Sequence, residues 1–389
     1  MMLQLSIRLT KFNFAITKVS KAPLLAIPSC LALVFAGLLQ GCGSSEPPIS
    51  DSPISEPPTA PSCSQATLSN ELTRQLSVLS SSVDFSLSLL HRDGSRFYYS
   101  RGSVNAQTEF ESASTSKWVS AAIILQLVDA GVLQLSDNPQ QYISSWPSAS
   151  SDPRSQIQLR HLLSFTSGLT EEPVCVNLAN ADFAQCVDKI AEINQNNGKI
   201  PGKEFYYAST HMQVAGLMAI KASGSRDWAD VFSKFKLQTN LFSHSRYDLP
   251  SATNPRLAGG MHWQSDDYLE FLRSYQRGNL LSNSLKLQAM SDQLQNATIG
   301  YSPARAALNQ DWHYGFGLWL ECSASSFNCS NIRYYSSPGA YGAYPFIFES
   351  AGMVGLLARQ GGLGSFAEGK AQFDSVAPAV EAWAQCNLP

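Results

Sequence analysis

Ser114 and Lys117 stand three residues apart in the run Phe110-Glu111-Ser112-Ala113-Ser114-Thr115-Ser116-Lys117. On a helix they share one face, roughly 5–6 Å apart. A serine hydroxyl attacks a carbonyl carbon only when a base accepts its proton. A lysine is that base only when burial and neighbouring groups lower its pKa. The apolar stretch that follows supplies the burial. Near a helix N-terminus, Ser114 also meets free backbone N–H groups and positive dipole, both favourable to an oxyanion. A capped helix start with a solvated lysine accounts for the same residues, so the run alone leaves both readings open.

The elements that must hold this pair can be read from periodicity. Residues 114–130 form an apolar helix that stops at Asp129-Ala130-Gly131, hydrophobic nearly all round and therefore expected inside the body. Residues 64–80 have a helical period in Leu68, Leu72, Leu76 and Leu79. Val83, Phe85, Leu87 and Leu89 then alternate with polar residues, and Arg92-Asp93-Gly94 turns the chain into 96–100, which predicts a β-hairpin. The middle, about 135–300, reads as loop-rich with short helices. Tyr344–Glu349 and Met353–Gln360 read as strands, and 370–385 as a closing helix that Pro378 should break. The expected fold class is α+β: an antiparallel sheet assembled from both chain ends and flanked by helices, with a mainly helical subdomain beside it and a cleft between.

The chain has 389 residues, and 44 % of them are apolar against 15 % charged, enough for a large core. Its formal charge is 27 − 30 = −3. Residues 1–41 hold four cations and no acid, so the remainder stands at 23 − 30 = −7. That balance, with no Lys/Arg block, argues against nucleic acid as a partner. No Cys/His spacing reads as a metal site and no glycine-rich loop as a phosphate cradle, so no cofactor is expected. Residues 22–41 form an apolar stretch interrupted by Pro28, and they end in Leu39-Gln40-Gly41-Cys42, which resembles a bacterial lipobox; a plain signal peptide or a membrane-spanning helix is the alternative. The expected organisation is a signal peptide at 1–41, a Ser/Pro-rich tether at 42–62 behind a lipidated Cys42, and a folded body at 63–389. The tether reaches roughly 25 Å as a coil and about 60 Å extended. Gly43, rather than Asp, points to the periplasmic face of the outer membrane. Six cysteines remain in the body, an even number consistent with an oxidising compartment. Closeness in sequence favours Cys175–Cys186 and Cys322–Cys329, which leaves Cys63–Cys386; free thiols are the alternative.

Further runs occur in an order that resembles the serine β-lactamase and penicillin-binding-protein superfamily, most closely its class C β-lactamase and esterase branch. Phe110 to Lys117 is similar to F-E-x-x-S-x-S-K. Ile157 to Leu169 (IQLRHLLSFTSGL) is similar to I-T-I-R-H-L-L-S-H-T-S-G-L, with Phe165 where His is usual. Pro201 to Ser209 (PGKEFYYAS) resembles P-G-x-x-F-x-Y-S-N. Gly259-Gly260 through Asp267 and Phe271 resembles G-G…D-x-x-x-F, Tyr314 to Trp319 resembles Y-G-L-G-W, and Ser337 to Gly342 (SPGAYG) resembles H-x-G-A-F-G. The resemblance covers about 65–389. It implies Ser114 as nucleophile, Lys117 as its proton acceptor and Tyr207 as a second acid/base. As phenolate Tyr207 would take the serine proton; as phenol it would protonate the leaving group. It also implies an oxyanion hole from the backbone N–H groups of Ser114 and Ala340, and substrate contacts at Ser209, Ser337, Gly339 and Tyr341.

Two departures bear on the substrate. Ser209 replaces the usual Asn, and Ser337 replaces the usual Lys or His that helps hold a substrate carboxylate in members acting on β-lactams. An uncharged Ser337 favours neutral esters, or amides without that carboxylate. Trp118, Trp263, Trp312, Tyr341 and Tyr344 would suit an apolar acyl or alcohol group and equally suit core packing. The resemblance therefore implies a serine hydrolase with an acyl-enzyme on Ser114. Its expected partners are a small-molecule ester or amide and, through Cys42, a membrane. Carboxylic esters come first, β-lactam or D-Ala-D-Ala peptide and amide hydrolysis second. A non-catalytic binder of cell-wall fragments or of a protein partner is the alternative from another class.

Overall fold

The structure is a computed structural model that describes residues 63–294, 297–322, 329 and 331–386. The expected signal peptide, tether and lipidated Cys42 lie outside the described residues.

Twelve strands run in chain order: β1 Phe85–His91, β2 Arg96–Arg101, β3 Glu109–Glu111, β4 Glu204–Tyr206, β5 Arg246–Tyr247, β6 Met261–Gln264, β7 Thr298–Tyr301, β8 His313–Tyr314, β9 Trp319–Cys322, β10 Ile332–Ser336, β11 Tyr344–Phe348 and β12 Met353–Arg359. The helices are α1 Gln65–Val78, α2 Ser116–Asp129, α3 Leu159–Leu163, α4 Phe183–Ile193, α5 Thr210–Ala222, α6 Trp228–Thr239, α7 Ser265–Gln276, α8 Asn283–Ala289, α9 Pro303–Leu308 and α10 Phe366–Gln385. A seven-stranded sheet has the order β2-β1-β12-β11-β10-β9-β8, and its neighbouring strands are antiparallel. The β1–β2 hairpin thus pairs with strands from the far end of the chain, with Leu87 opposite Leu357. This is the α+β architecture expected from the sequence.

Both faces of the sheet are covered. On one, Phe85, Leu87 and Leu89 of β1 and Tyr344, Phe346 and Phe348 of β11 share a core with Leu72 and Leu76 of α1 and Phe373, Val376, Val380 and Trp383 of α10. On the other, Leu90, Ile347, Val354 and Leu356 join the larger core of α2, α5 and α7. The period-two alternation therefore divides each strand between two apolar interiors. Leu72 and Leu76, four apart, form the buried stripe of α1.

Pro378 does not break the last helix, which is continuous over Phe366–Gln385. Buried residues on both sides of the proline, Phe373, Val376 and Ala377 before it and Val380 and Trp383 after it, pack on the sheet and on α1. That burial outweighs the lost backbone bond. Disulfides join Cys63 to Cys386, Cys175 to Cys186 and Cys322 to Cys329.

Candidate active site

The Ser114 turn is built by β3, which pairs with β6 so that Phe110 faces Trp263. Past its end, Ser112 N–H donates to Met261 O at 2.8 Å and Met261 N–H donates to Ser112 Oγ at 3.0 Å. Ala113 then adopts φ +42°, a left-handed conformation strained for a residue with a Cβ. It starts a 3₁₀ turn, Ala113–Thr115, that runs into α2. Tyr268 OH donates to Thr115 O at 2.7 Å and Thr115 Oγ1 donates to Ser112 O at 3.0 Å. The nucleophile turn is thereby clamped from strand and helix sides.

Lys117, one turn on, is 3 % exposed. Its Nζ lies 2.8 Å from Ser114 Oγ and donates to Ala258 O at 2.7 Å. Burial pushes this amine well below the usual lysine range; the positive charge of Arg256 adds to that, and Glu172 opposes it. The amine also sits 4.6 Å from the centre of the Tyr207 ring.

Tyr207 follows β4 and is set by its surroundings on three sides. Its ring stacks on Trp319 at 5.1 Å and meets Phe165 at 5.5 Å. Phe165, where the family pattern has His, is fully buried at φ +59° and stacks on His211 at 4.8 Å. His211 bonds Tyr206 O through Nε2 and Ser167 Oγ through Nδ1, both at 2.8 Å. Burial lowers the His211 pKa to about 4, so the ring is neutral and the Nε2–H donates to Tyr206 O. The Tyr207 phenol is pushed up by burial, an effect that its hydrogen-bonding neighbours Ser114 and Trp319 partly offset. It is therefore a neutral phenol at ordinary pH.

The third wall is the segment after β10. Ser337 is 2 % exposed, and its Oγ donates to Ser114 O at 3.1 Å. It ties strand to nucleophile turn rather than facing the cleft. Gly339 is required by the closeness of that contact: a Cβ there would lie 2.8 Å from Ser112 O and 3.1 Å from Thr115 Cγ2. Among the described residues, neither the Ser114 N–H nor the Ala340 N–H has a protein acceptor. Tyr341, half-buried, interacts with Glu111. Trp118, Trp263, Trp312 and Tyr344 are core residues, each buried.

Ser209 is also occupied within the protein. Arg256 donates to its Oγ through Nε at 2.9 Å and Nη2 at 2.7 Å. Glu172 accepts from Arg256 Nη2 at 2.7 Å and from Ser209 N–H at 2.9 Å, while Asn177 Oδ1 accepts from Arg256 Nη1 at 2.7 Å. Arg256, Glu172 and His211 escaped the sequence reading, and Trp319 was seen there only as the end of a motif. For Arg256 a signal existed: a cation three residues before the Gly259-Gly260 motif. Among the described residues no group of three His, Cys, Asp or Glu side chains is placed to hold a metal ion.

A nucleophile turn, a buried lysine and a phenol between an antiparallel sheet and a helical region define a serine-hydrolase fold. The Beta-lactamase family model matches residues 86–372, and the chain belongs to that family. A candidate β-lactamase from Bacteroides dorei DSM 17855 superimposes with a TM-score of 0.66 at 24 % identity, over 82 % of this chain and 99 % of its own. EstCE1, a hydrolase with promiscuous acyltransferase activity, gives 0.64 at 16 % identity over 80 % and 98 %. Penicillin-binding protein 4 of Amycolatopsis lactamdurans is 28 % identical over 149 residues; the match spans 38 % of each chain, well under half of that relative's length.

Proposed function

We propose that this protein hydrolyses carboxylic esters through an acyl-enzyme on Ser114. The observation that carries the reading is the 2.8 Å approach of Lys117 Nζ to Ser114 Oγ inside a buried setting. With one N–H on Ala258, the neutral amine can turn its lone pair to the serine. As Oγ bonds to the carbonyl carbon, its proton passes to Nζ, and the oxyanion accepts from the N–H groups of Ser114 and Ala340. When the C–O bond breaks, the leaving alkoxide takes a proton from Tyr207, acting as phenol. Of the two roles the resemblance allows Tyr207, burial favours this one. Water then gives a proton to the Tyr207 phenolate as it attacks the acyl carbon, the bond to Ser114 Oγ breaks, and Oγ takes back the proton held on Lys117 Nζ, which frees the acid and restores all three groups. The protein is read as anchored by lipid on Cys42 at the periplasmic face of the outer membrane; labelling by a palmitate analogue, lost in Cys42→Ala, tests this.

An ester is preferred because the strand position that is cationic in β-lactam-processing members is an uncharged, occupied Ser337. Amide or β-lactam hydrolysis is the second reading, favoured by the similarity to Penicillin-binding protein 4. A fluorophosphonate should label the wild type and not Ser114→Ala. Folded wild type that resists labelling supports the non-catalytic binder instead. Turnover of nitrocefin faster than of p-nitrophenyl esters overturns the ester preference.

A further inference from the structure

Arg256 is a cation outside the motifs that carry the family resemblance. The Arg256 stem runs beside the nucleophile turn: a Cβ built on Gly259 would lie 3.6 Å from Arg256 Cδ and 3.7 Å from the Ala113 carbonyl carbon. Its positive charge acts on Lys117, where it adds to the lowering by burial, and on Tyr341, where it opposes the raising by burial and Glu111. Lys117 is bonded to Ser114, and Tyr341 follows the Ala340 N–H in the chain. The Arg256 stem thus lies by the nucleophile turn while its side chain stays 34 % exposed.

Its donors are nearly, but not fully, used. Of five N–H groups, Nε serves Ser209, the two on Nη2 serve Ser209 and Glu172, and one on Nη1 serves Asn177. One Nη1–H has no acceptor among the described residues, and the side chain is 34 % exposed. Glu172 balances the charge at long range, but a group that reaches Nη1 still gains a charge-assisted bond. The planar fork is held from three directions, so little side-chain entropy is lost when a ligand binds. The loop that supplies Glu172 and Asn177 is itself fixed: Asn254 Nδ2 donates to Cys175 O and Leu178 O, both at 2.9 Å, and Cys175 is bonded to Cys186.

We propose that Arg256 is a specificity-determining residue of the cleft and receives a carboxylate carried by the substrate. The strand offers no cation, since Ser337 is uncharged and buried; Arg256, bonded to the short Ser209, supplies one elsewhere, so the neutral substrates expected from Ser337 alone give way to anionic ones. The inference rests on the ester-hydrolase reading of Ser114 and adds the substrate class: an ester bearing an anionic group.

Two matched substrate pairs test it. p-Nitrophenyl hemisuccinate against p-nitrophenyl butyrate places the carboxylate on the acyl side; 4-acetoxybenzoate against phenyl acetate places it on the leaving side. In Arg256→Ala the anionic-to-neutral ratio of kcat/KM should fall at least tenfold from its wild-type value in one pair, and that pair names the side. Arg256→Lys, which keeps the charge without the fork, should fall less. Glu172→Gln, which removes the opposing charge, should raise the ratio. Ratios within twofold of wild type in both pairs for Arg256→Ala overturn the proposal, as does a lowered ratio in Glu172→Gln. A second readout does not need catalysis: calorimetric binding of monomethyl succinate to Ser114→Ala should weaken at least tenfold when Arg256→Ala is added. Equal or undetectable binding in the two proteins overturns the proposal. If the wild type turns over no ester, the acyl-enzyme reading fails and this binding comparison alone decides the role of Arg256.

Discussion

Replacing Lys117 by Met keeps an unbranched chain of similar length and removes the one group that titrates between Ser114 and Ala258. The wild-type amine has a native pKa well below that of the unfolded chain, because burial disfavours its charge. Below the native pKa both states are protonated, and the full penalty of a buried charge falls on the native state. Between the native pKa and about 10.4 the unfolded chain holds a proton that the native protein lacks. In that window wild-type stability rises with pH by about 1.4 kcal/mol per pH unit. Above the unfolded pKa the contribution is absent. Met does not titrate, so the wild-type minus Lys117→Met difference in unfolding free energy should climb with that slope. Constant costs cancel from the slope, including the roughly 1–3 kcal/mol for leaving Ala258 O without its donor. Urea unfolding of both proteins at steps from pH 6 to 9.5 measures it. Stopping there avoids the buried tyrosines, including Tyr207, Tyr247 and Tyr275, whose raised pKa values would impose a falling slope above pH 10. The same variant should lose about 10²–10⁴ in kcat/KM for p-nitrophenyl butyrate, the usual worth of a positioned base. Parallel stability curves across the range would mean that Lys117 keeps its proton much as in water, and it could not then be the base.

Tyr207→Phe keeps the stacking on Trp319 and removes only the hydroxyl. It should lower kcat/KM by about 10²–10⁴ for an ester with a poor leaving group and by less for p-nitrophenolate, which leaves without a proton; equal losses on both would remove the acid role. Gly339→Ala forces a methyl to 2.8 Å from Ser112 O, and should slow fluorophosphonate labelling of Ser114 while circular dichroism stays native. Changing Cys63 and Cys386 together to Ser should cost about 2–4 kcal/mol in denaturant unfolding, and no change would show that the bridge constrains nothing. Burial raises the Glu321 carboxyl to about 7, so the native state binds the extra proton and stability should fall by about 3 kcal/mol as pH rises from 4.5 to 7; Glu321→Gln should flatten that fall in urea melts.

The hairpin, the apolar α2 and the last two long strands were legible because their periods survive in the sequence. The strands β9 and β10 were not. Trp319–Cys322 is buried throughout and shows no alternation, and Ile332–Ser336 is short and half-polar. Ser114, Lys117 and Tyr207 could be proposed because their spacing along the chain is fixed within local runs. What surrounds them could not: Arg256 reaches Ser209 across 47 residues and Glu172 across 84, and no local pattern carries such a pairing. The role of Phe165 was hidden for a related reason. Only in the fold does the ring that replaces a histidine lie between His211 and Tyr207. The break expected at Pro378 shows the converse, a strong local signal overruled by burial on both sides of it.

The bridge between Cys63 and Cys386 brings the Cα atoms of the two ends of the described body within 5.4 Å of each other. Mechanically this turns the body into a closed ring. Tension applied at Cys63 cannot peel α1 away alone; it loads α1 and α10 together, and both lie on the same side of the seven-stranded sheet. The Ser114 turn lies on the other side, so a pull from that end is borne by elements that take no part in catalysis.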